Sequence, residues 1–131
     1  MQDPFFECNQ IQFHIVDPQP ETFIARLPLT DRAKLEVACE ATANAFADRT
    51  PPVRSRLVRG AKMHDLFVIF IEWPRAPGPK AMLLARRVGN RVLIARGLRS
   101  RDGGIPPVEA ERAERALAKA REDDGLGGGC G

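Results

Sequence analysis

Long apolar runs and internal repeats are both missing from this 131-residue chain. No segment approaches the roughly 20 apolar residues that a membrane-spanning helix needs. The first residues also lack the basic and then apolar pattern of a signal peptide. These absences predict a cytoplasmic protein with no membrane partner.

Cysteine is scarce, and its spacing gives no sign of a metal site or of a disulfide framework. Cys8, Cys39 and Cys130 are odd in number and match neither a metal site nor a disulfide framework. Gly103 and Gly104 are too few for a phosphate-binding loop. We therefore expect idle thiols, no metal and no small-molecule cofactor.

The length of the chain suits one domain, because 44% hydrophobic composition at this size allows a core that needs no metal or disulfide. We expect that domain to cover residues 1–124. The Gly-rich segment 125–131 has nothing to hold it, which predicts a disordered tail.

Short apolar runs dominate the middle of the chain. The runs at 66–73, 81–85 and 92–95 are bounded by Pro, Gly or Asn and lack the alternation of a half-exposed strand, so they predict strands buried on at least one face. Gly89-Asn90 predicts a two-residue hairpin turn with positive backbone dihedrals. Residues 11–16 do alternate, which predicts a first strand that could form an edge of the sheet.

Three helices are predicted around these strands. Pro18 and Pro20 suit the start of a helix near Glu21, and Thr30-Asp31 supplies a cap for a second. A third helix is predicted from about Val108. The order of elements indicates an α+β domain, with a mainly antiparallel sheet of about four strands, an N-terminal helical hairpin and a C-terminal helix.

Charge is distributed unevenly along the chain. Residues 51–101 carry ten Arg and two Lys against two acids, a net charge of +10, whereas residues 1–50 and 102–131 are both net acidic. Such a basic segment indicates an anionic partner for the sheet. A solvated charged face is the alternative, and the shortage of local acids makes it the weaker one.

Three short stretches carry a family resemblance. Leu57-Val58-Arg59-Gly60 precedes Leu66-Phe67, an apolar strand leads into the basic residues 96–101, and Pro106-Pro107 precedes a helix that begins with an acidic residue and an alanine. This order, over roughly residues 21–119, resembles the RelE/HigB-like toxins of bacterial type II toxin–antitoxin systems, in the phage-derived branch of the RelE/ParE superfamily.

The resemblance implies a small RelE-like domain that binds ribosome-associated mRNA and acts as an mRNA interferase, a metal-independent endoribonuclease that uses the 2′-hydroxyl as nucleophile. Its implied partners are the ribosome, mRNA and a cognate acidic antitoxin. General acid–base catalysis and phosphate binding would then fall to basic residues. The candidate catalytic residues are Arg59, Lys62, His64, Arg99 and Arg101. The candidate RNA-binding residues are Arg54, Arg56, Lys80, Arg86, Arg87 and Arg96.

Departures from the family pattern leave two alternatives open. Phe70, Ala81 and Ser100 stand where the family usually has basic residues, and the chain has no Tyr to close such a site. This favours a non-catalytic RelE-like module that binds nucleic acid or protein. A ParE-like toxin that inhibits gyrase would share the fold and need no nuclease residues. His64 is equally well explained as an exposed turn residue, and Arg86 and Arg87 as protection of a sheet edge.

Overall fold

The computed structural model describes residues 4–71 and 80–128, and residues 121–128 by their backbone alone. Six strands and three helices are assigned within these ranges. In chain order they are β1 (Phe6–Cys8), β2 (Ile11–Ile15), α1 (Pro18–Ala25), α2 (Leu29–Asp48), β3 (Ser55–Leu57), β4 (Phe67–Phe70), β5 (Lys80–Val88), β6 (Arg91–Ser100) and α3 (Pro107–Gly128). None of the described helices is long and apolar enough to cross a membrane.

The strands form one mixed sheet in the order β1-β2-β6-β5-β4-β3. β2 lies parallel to β6, and every other neighbouring pair is antiparallel. The α+β class is therefore confirmed. Four of the five neighbouring pairs are antiparallel, in agreement with the predicted mainly antiparallel sheet, but the sheet has six strands rather than about four. The first predicted strand is not an edge either, because β2 lies between β1 and β6.

Two tight hairpins organise the sheet. The β5–β6 hairpin turns at Gly89-Asn90 as predicted, although only Gly89 has a positive φ, of 63°. The β1–β2 hairpin was not predicted. It turns at Asn9 and Gln10, whose φ values of 52° and 66° match the left-handed turn that favours hairpin twist, but neither residue is a glycine.

A bulge divides β6 into two halves. Ala85 lies opposite Ile94, whereas Leu84 lies opposite Arg96, so Ala95 is the extra residue. An extra residue reverses which face the following side chains point to. Arg96 therefore points to the same face as Ala95.

Both faces of the sheet are buried. One core cluster joins sheet residues such as Phe13, Leu83 and Ile94 to the apolar faces of α1 and α2. The other joins Met82 and Leu84, among others, to the narrow Ala and Leu face of α3. This three-layer arrangement explains why the central strands lack alternation, because a strand covered on both sides is apolar at every position.

The helix boundaries differ from the predicted ones. α1 begins at Pro18 rather than near Glu21, because the carboxylate of Asp17 caps it by accepting from the backbone N–H of Gln19 at 3.1 Å. α2 begins at Leu29 after Pro28 and has no side-chain cap bond, so the predicted cap at Thr30-Asp31 is wrong. α1 packs mainly on β6 and β2, whereas α2 packs on β4, β1 and β5.

The predicted domain end and the predicted strand at 66–73 are only partly covered by the described residues. α3 continues to Gly128 and so passes residue 124, where the predicted domain ended. Residues 129–131 of the predicted tail lie outside the described residues, and so do the last two residues of the strand predicted at 66–73.

Gly97 is the point at which α1 is fixed to the sheet. β2 stops pairing with β6 near Ile94, and the side-chain amide of Gln19 continues the pairing beyond it. The Gln19 amide donates to the Gly97 carbonyl at 2.8 Å and accepts from the Gly97 N–H at 2.7 Å. The ring of Phe23 occupies the space where a Gly97 side chain would lie.

Cys39 gives a pH-dependent prediction. Burial, with a contribution from the charge of Glu36, raises the pKa of this fully buried thiol to about 12. The neutral thiol therefore contributes its full stabilising free energy below the ordinary thiol pKa of about 8.5. This contribution is lost as the pH rises from there toward the pKa of the thiol in the folded chain. When the pH is raised from 7 to 10, we expect the free energy of urea unfolding to fall in both proteins. The fall should be larger for the native chain than for Cys39→Ala, by on the order of 1 kcal/mol. Equal pH dependence of the two proteins would contradict this.

Candidate nucleic-acid interface

The basic residues of the sheet divide between its two faces. Alternation places Arg56, Lys80, Arg86 and Arg96 on the face covered by α3, because each has a neighbour two positions away in that core. Arg54 belongs to the same face because it lies opposite Phe70, which packs against that core. Arg87 and Arg99 point to the face covered by α1 and α2. The sequence-predicted set is therefore not a single surface.

The two residues on the α1 and α2 face have partners there. The guanidinium of Arg87 lies 4.5 Å from the centroid of the Phe46 ring and donates to the Gly89 carbonyl at 2.7 Å. Arg99 lies 3.8 Å from the carboxylate of Asp31 at the start of α2. Arg87, a predicted RNA-binding residue, and Arg99, a predicted catalytic residue, therefore lie on the opposite face from the other five predicted RNA-binding residues.

Arg86 is an ion-pair residue. It donates to Asp65 at 2.7 Å, with both side chains partly shielded from solvent. Burial alone would raise the pKa of Asp65, but the hydrogen bond and charge of Arg86, a backbone hydrogen bond and the charge of His64 together lower it. This carboxylate stays ionised at neutral pH and cancels the charge of Arg86.

Arg96 is paired as well. The bulge in β6 directs it toward α3, where it donates to Glu109 at 2.8 Å. The two side chains retain only 19% and 15% of their exposure, and Arg112 makes a second contact to the same carboxylate at 3.1 Å. Arg96 therefore holds the first turn of α3 on the sheet.

Four basic residues of the predicted set lie near the start of β5 and the end of β6 and form a group that we call the basic end: Arg54, Arg56, Lys80 and Arg101. Lys80 opens β5 opposite Ser100, and Arg101 follows directly. The guanidinium of Arg56 donates to the carbonyl of Gly103, which joins the edge strand β3 to the loop that carries Arg101. No hydrogen bond or ion pair within residues 4–71 and 80–120 involves the side chain of Lys80 or Arg101.

The loop after β6 is held by its own polar groups. The Asp102 carboxylate accepts from the Gly104 N–H at 2.8 Å and lies 3.2 Å from the Ser100 hydroxyl, and these contacts lower the pKa of Asp102. Ser100 also donates to the Gly104 carbonyl at 2.9 Å. Ser100 is therefore a loop-forming residue here, and Arg101 projects from an ordered turn.

Arg59, Lys62 and His64 lie together on the loop between β3 and β4, and all three are exposed. The loop closes where the Val58 N–H donates to the Leu66 carbonyl at 2.9 Å. The ion pair of Asp65 with Arg86 fixes it near the hairpin-turn half of β5. These three residues form a second basic group at a distance from the basic end.

The two basic groups are too far apart to act together in cleaving one RNA phosphodiester bond. Arg86 and Lys80 are six positions apart on β5, so the two groups are roughly 20 Å apart along the strand direction. An acid or base must come within hydrogen-bonding distance of the reacting atoms. His64 cannot reach a phosphate bound at Lys80 and Arg101, and Arg99 lies on the other face. The predicted catalytic set is not assembled into one site.

Glu109 and the Gly103 carbonyl are the site residues that the sequence did not point to. An Asp/Glu at the first turn of a helix is a common helix-start signal, so Glu109 gave no sign of its contact with Arg96. No group of three or more metal-ligating side chains is present in the described part of the chain. In comparisons with known proteins, neither a family model nor a curated protein matches this chain.

Proposed function

We propose that this chain is a toxin-like RNA-binding protein that holds mRNA at the basic end, and that an acidic antitoxin is the partner that covers this surface. The observation that supports it is a contrast among the predicted cations. Arg86 and Arg96 are neutralised by Asp65 and Glu109, whereas Lys80 and Arg101 stand at the basic end without an acid partner among the described residues. Unneutralised cations bind phosphate oxygens directly.

Binding without cleavage is the form of this function that the geometry favours. The residues proposed for proton transfer and for phosphate contact lie at opposite ends of β5. Binding needs only cations along a surface, because the phosphate backbone supplies most of the affinity in sequence-independent recognition.

The test is fluorescence anisotropy with a labelled single-stranded RNA of 20 nucleotides at several salt concentrations. We expect the double variant Lys80→Ala/Arg101→Ala to bind roughly tenfold more weakly than the native chain at 100 mM salt. The slope of log affinity against log salt should fall by about 1.4, since each lost phosphate contact contributes about 0.7 on a single strand. The RNA should remain intact on a denaturing gel.

The matched control is Arg32→Ala/Lys34→Ala, which removes the same charge from exposed positions of α2 on the far side of the sheet. It should leave the salt slope nearly unchanged. An equal loss in both variants would show that net charge alone drives binding and would overturn the assignment to the basic end.

The toxin-like role has its own test. Expression of the chain in a bacterial host should slow growth, and Lys80→Ala/Arg101→Ala should relieve the effect at equal protein level. Co-expression of a candidate acidic antitoxin should protect the host and block RNA binding by the purified complex. A harmless native chain at high expression would contradict the toxin-like role.

A further inference from the structure

Phe70 ends β4 with a ring that is only partly buried, although the three residues before it are buried. It lies opposite Met82, which belongs to the core under α3, so its ring is on that same face. α3 packs mainly on β6 and β5. The outer part of the Phe70 ring therefore lies beside the helix, on the face that carries Arg54 and Lys80.

Two residues of the basic end lie on the chain segments next to Phe70. The Phe70 N–H donates to the Arg54 carbonyl at 2.9 Å, which places Arg54 beside it at the sheet edge. Lys80 is the diagonal neighbour across β5, two residues from Met82, and such neighbours are about 7 Å apart. Basic residues thus lie on the chain segments on both sides of Phe70, and the Arg54 guanidinium itself donates to the Val53 carbonyl at 3.0 Å.

An aromatic ring beside basic residues is suited to binding an unpaired base of RNA. Aromatic rings bind single strands by stacking on bases, while cations beside them follow the phosphates. A base inside a duplex already has both faces covered by its neighbours, so it has no face left for a protein ring. A phosphate-binding surface without an aromatic ring would accept duplex and single strand by charge alone.

We infer that Phe70 stacks on an unpaired base whose flanking phosphate is bound by Lys80, so that the ligand is single-stranded. The inference rests on the proposed function for the nature of the ligand as RNA. It adds a ligand class, unpaired nucleotides. It also gives Phe70 a role in RNA binding that does not depend on charge.

The experiment compares Phe70→Leu and Phe70→Trp with the native chain in binding a 20-nucleotide oligouridine. Leu keeps an apolar side chain over the core but removes the aromatic face, and Trp keeps that face. We expect Phe70→Leu to weaken binding about fivefold or more, with an unchanged salt slope, and Phe70→Trp to bind at least as tightly as the native chain. Phe46→Leu is the matched control, because its ring lies on the other side of the sheet against Arg87. It should bind like the native chain.

A second set of ligands makes the test independent of the folding of any variant. The native chain should bind the oligouridine at least fivefold more tightly than an abasic ribose-phosphate chain of equal length or a duplex RNA of equal charge. Equal binding of the three ligands, or normal binding by Phe70→Leu, would overturn the inference while leaving the proposed function intact. Failure of the native chain to bind any of the three would overturn the proposed function itself.

Discussion

Replacing Gly97 by Ala should destabilise the chain by about 3 kcal/mol, because the new methyl group has no space. A Cβ at Gly97 would lie 2.3 Å and 2.6 Å from two atoms of the Phe23 ring. Relief requires the ring or all of α1 to move, and movement of α1 would break the two hydrogen bonds of Gln19 to the Gly97 backbone. Urea unfolding at pH 7 measures the loss of unfolding free energy.

The partner ring supplies the control for this substitution. Phe23→Ala removes the obstructing atoms, so Gly97→Ala should cost much less in the Phe23→Ala background than in the native one. Gly89→Ala tests backbone conformation alone, because the space around Gly89 is open while its φ is positive. It should cost about 1 kcal/mol. A loss at Gly97 that is additive with Phe23→Ala would show that the ring is not the cause.

Glu109→Ala should also destabilise the chain by about 3 kcal/mol, since it leaves the largely buried guanidinium of Arg96 without its carboxylate. The substitution also removes a negative charge from the first turn of α3, where it interacts favourably with the helix dipole. Both effects weaken the attachment of α3 to the sheet. Urea unfolding and amide hydrogen exchange in α3 would measure them.

Arg112 supplies the matched control for that pair. It contacts the same carboxylate at 3.1 Å but remains 53% exposed, so Arg112→Ala should cost at most about 1 kcal/mol. Arg96→Met/Glu109→Leu, which replaces the pair with apolar side chains, should recover much of the stability lost in Glu109→Ala. Equal losses for Glu109→Ala and Arg112→Ala would show that the Arg96 pair does not hold the helix.

The parts of the fold that were predictable from sequence are those with local signals. Gly89-Asn90 marked the β5–β6 turn, and the buried stripe of α2 that includes Leu35, Ala38 and Cys39 followed helical spacing. β1 was missed because three residues cannot show alternation and its turn at Asn9-Gln10 has no glycine. The parallel pairing of β2 with β6 depends on residues far apart in the chain, for which the sequence has no local signal.

The site was predictable in its charge but not in its geometry. The excess of Arg between residues 51 and 101 indicated a basic segment, since such a count needs no knowledge of strand direction, but these residues divide between the two faces of the sheet. Which cations stay unneutralised depends on contacts with Asp65 and Glu109 and on the bulge that turns Arg96 toward α3. A single alternation pattern along β6 cannot reveal that bulge, because the extra residue, Ala95, is the last of four consecutive apolar residues.

The parallel β2–β6 pairing also sets an order of events during synthesis. Ile15 pairs with Ile94, so the N-terminal hairpin waits for roughly 80 further residues, about 4–16 s of translation, before its final neighbour exists. During that interval the apolar side of β2, including Phe13, has α1 and α2 but no central sheet to pack on. The nascent chain is therefore most exposed to misfolding and chaperone binding before β6 emerges, and slow translation of the 51–101 segment would prolong that state.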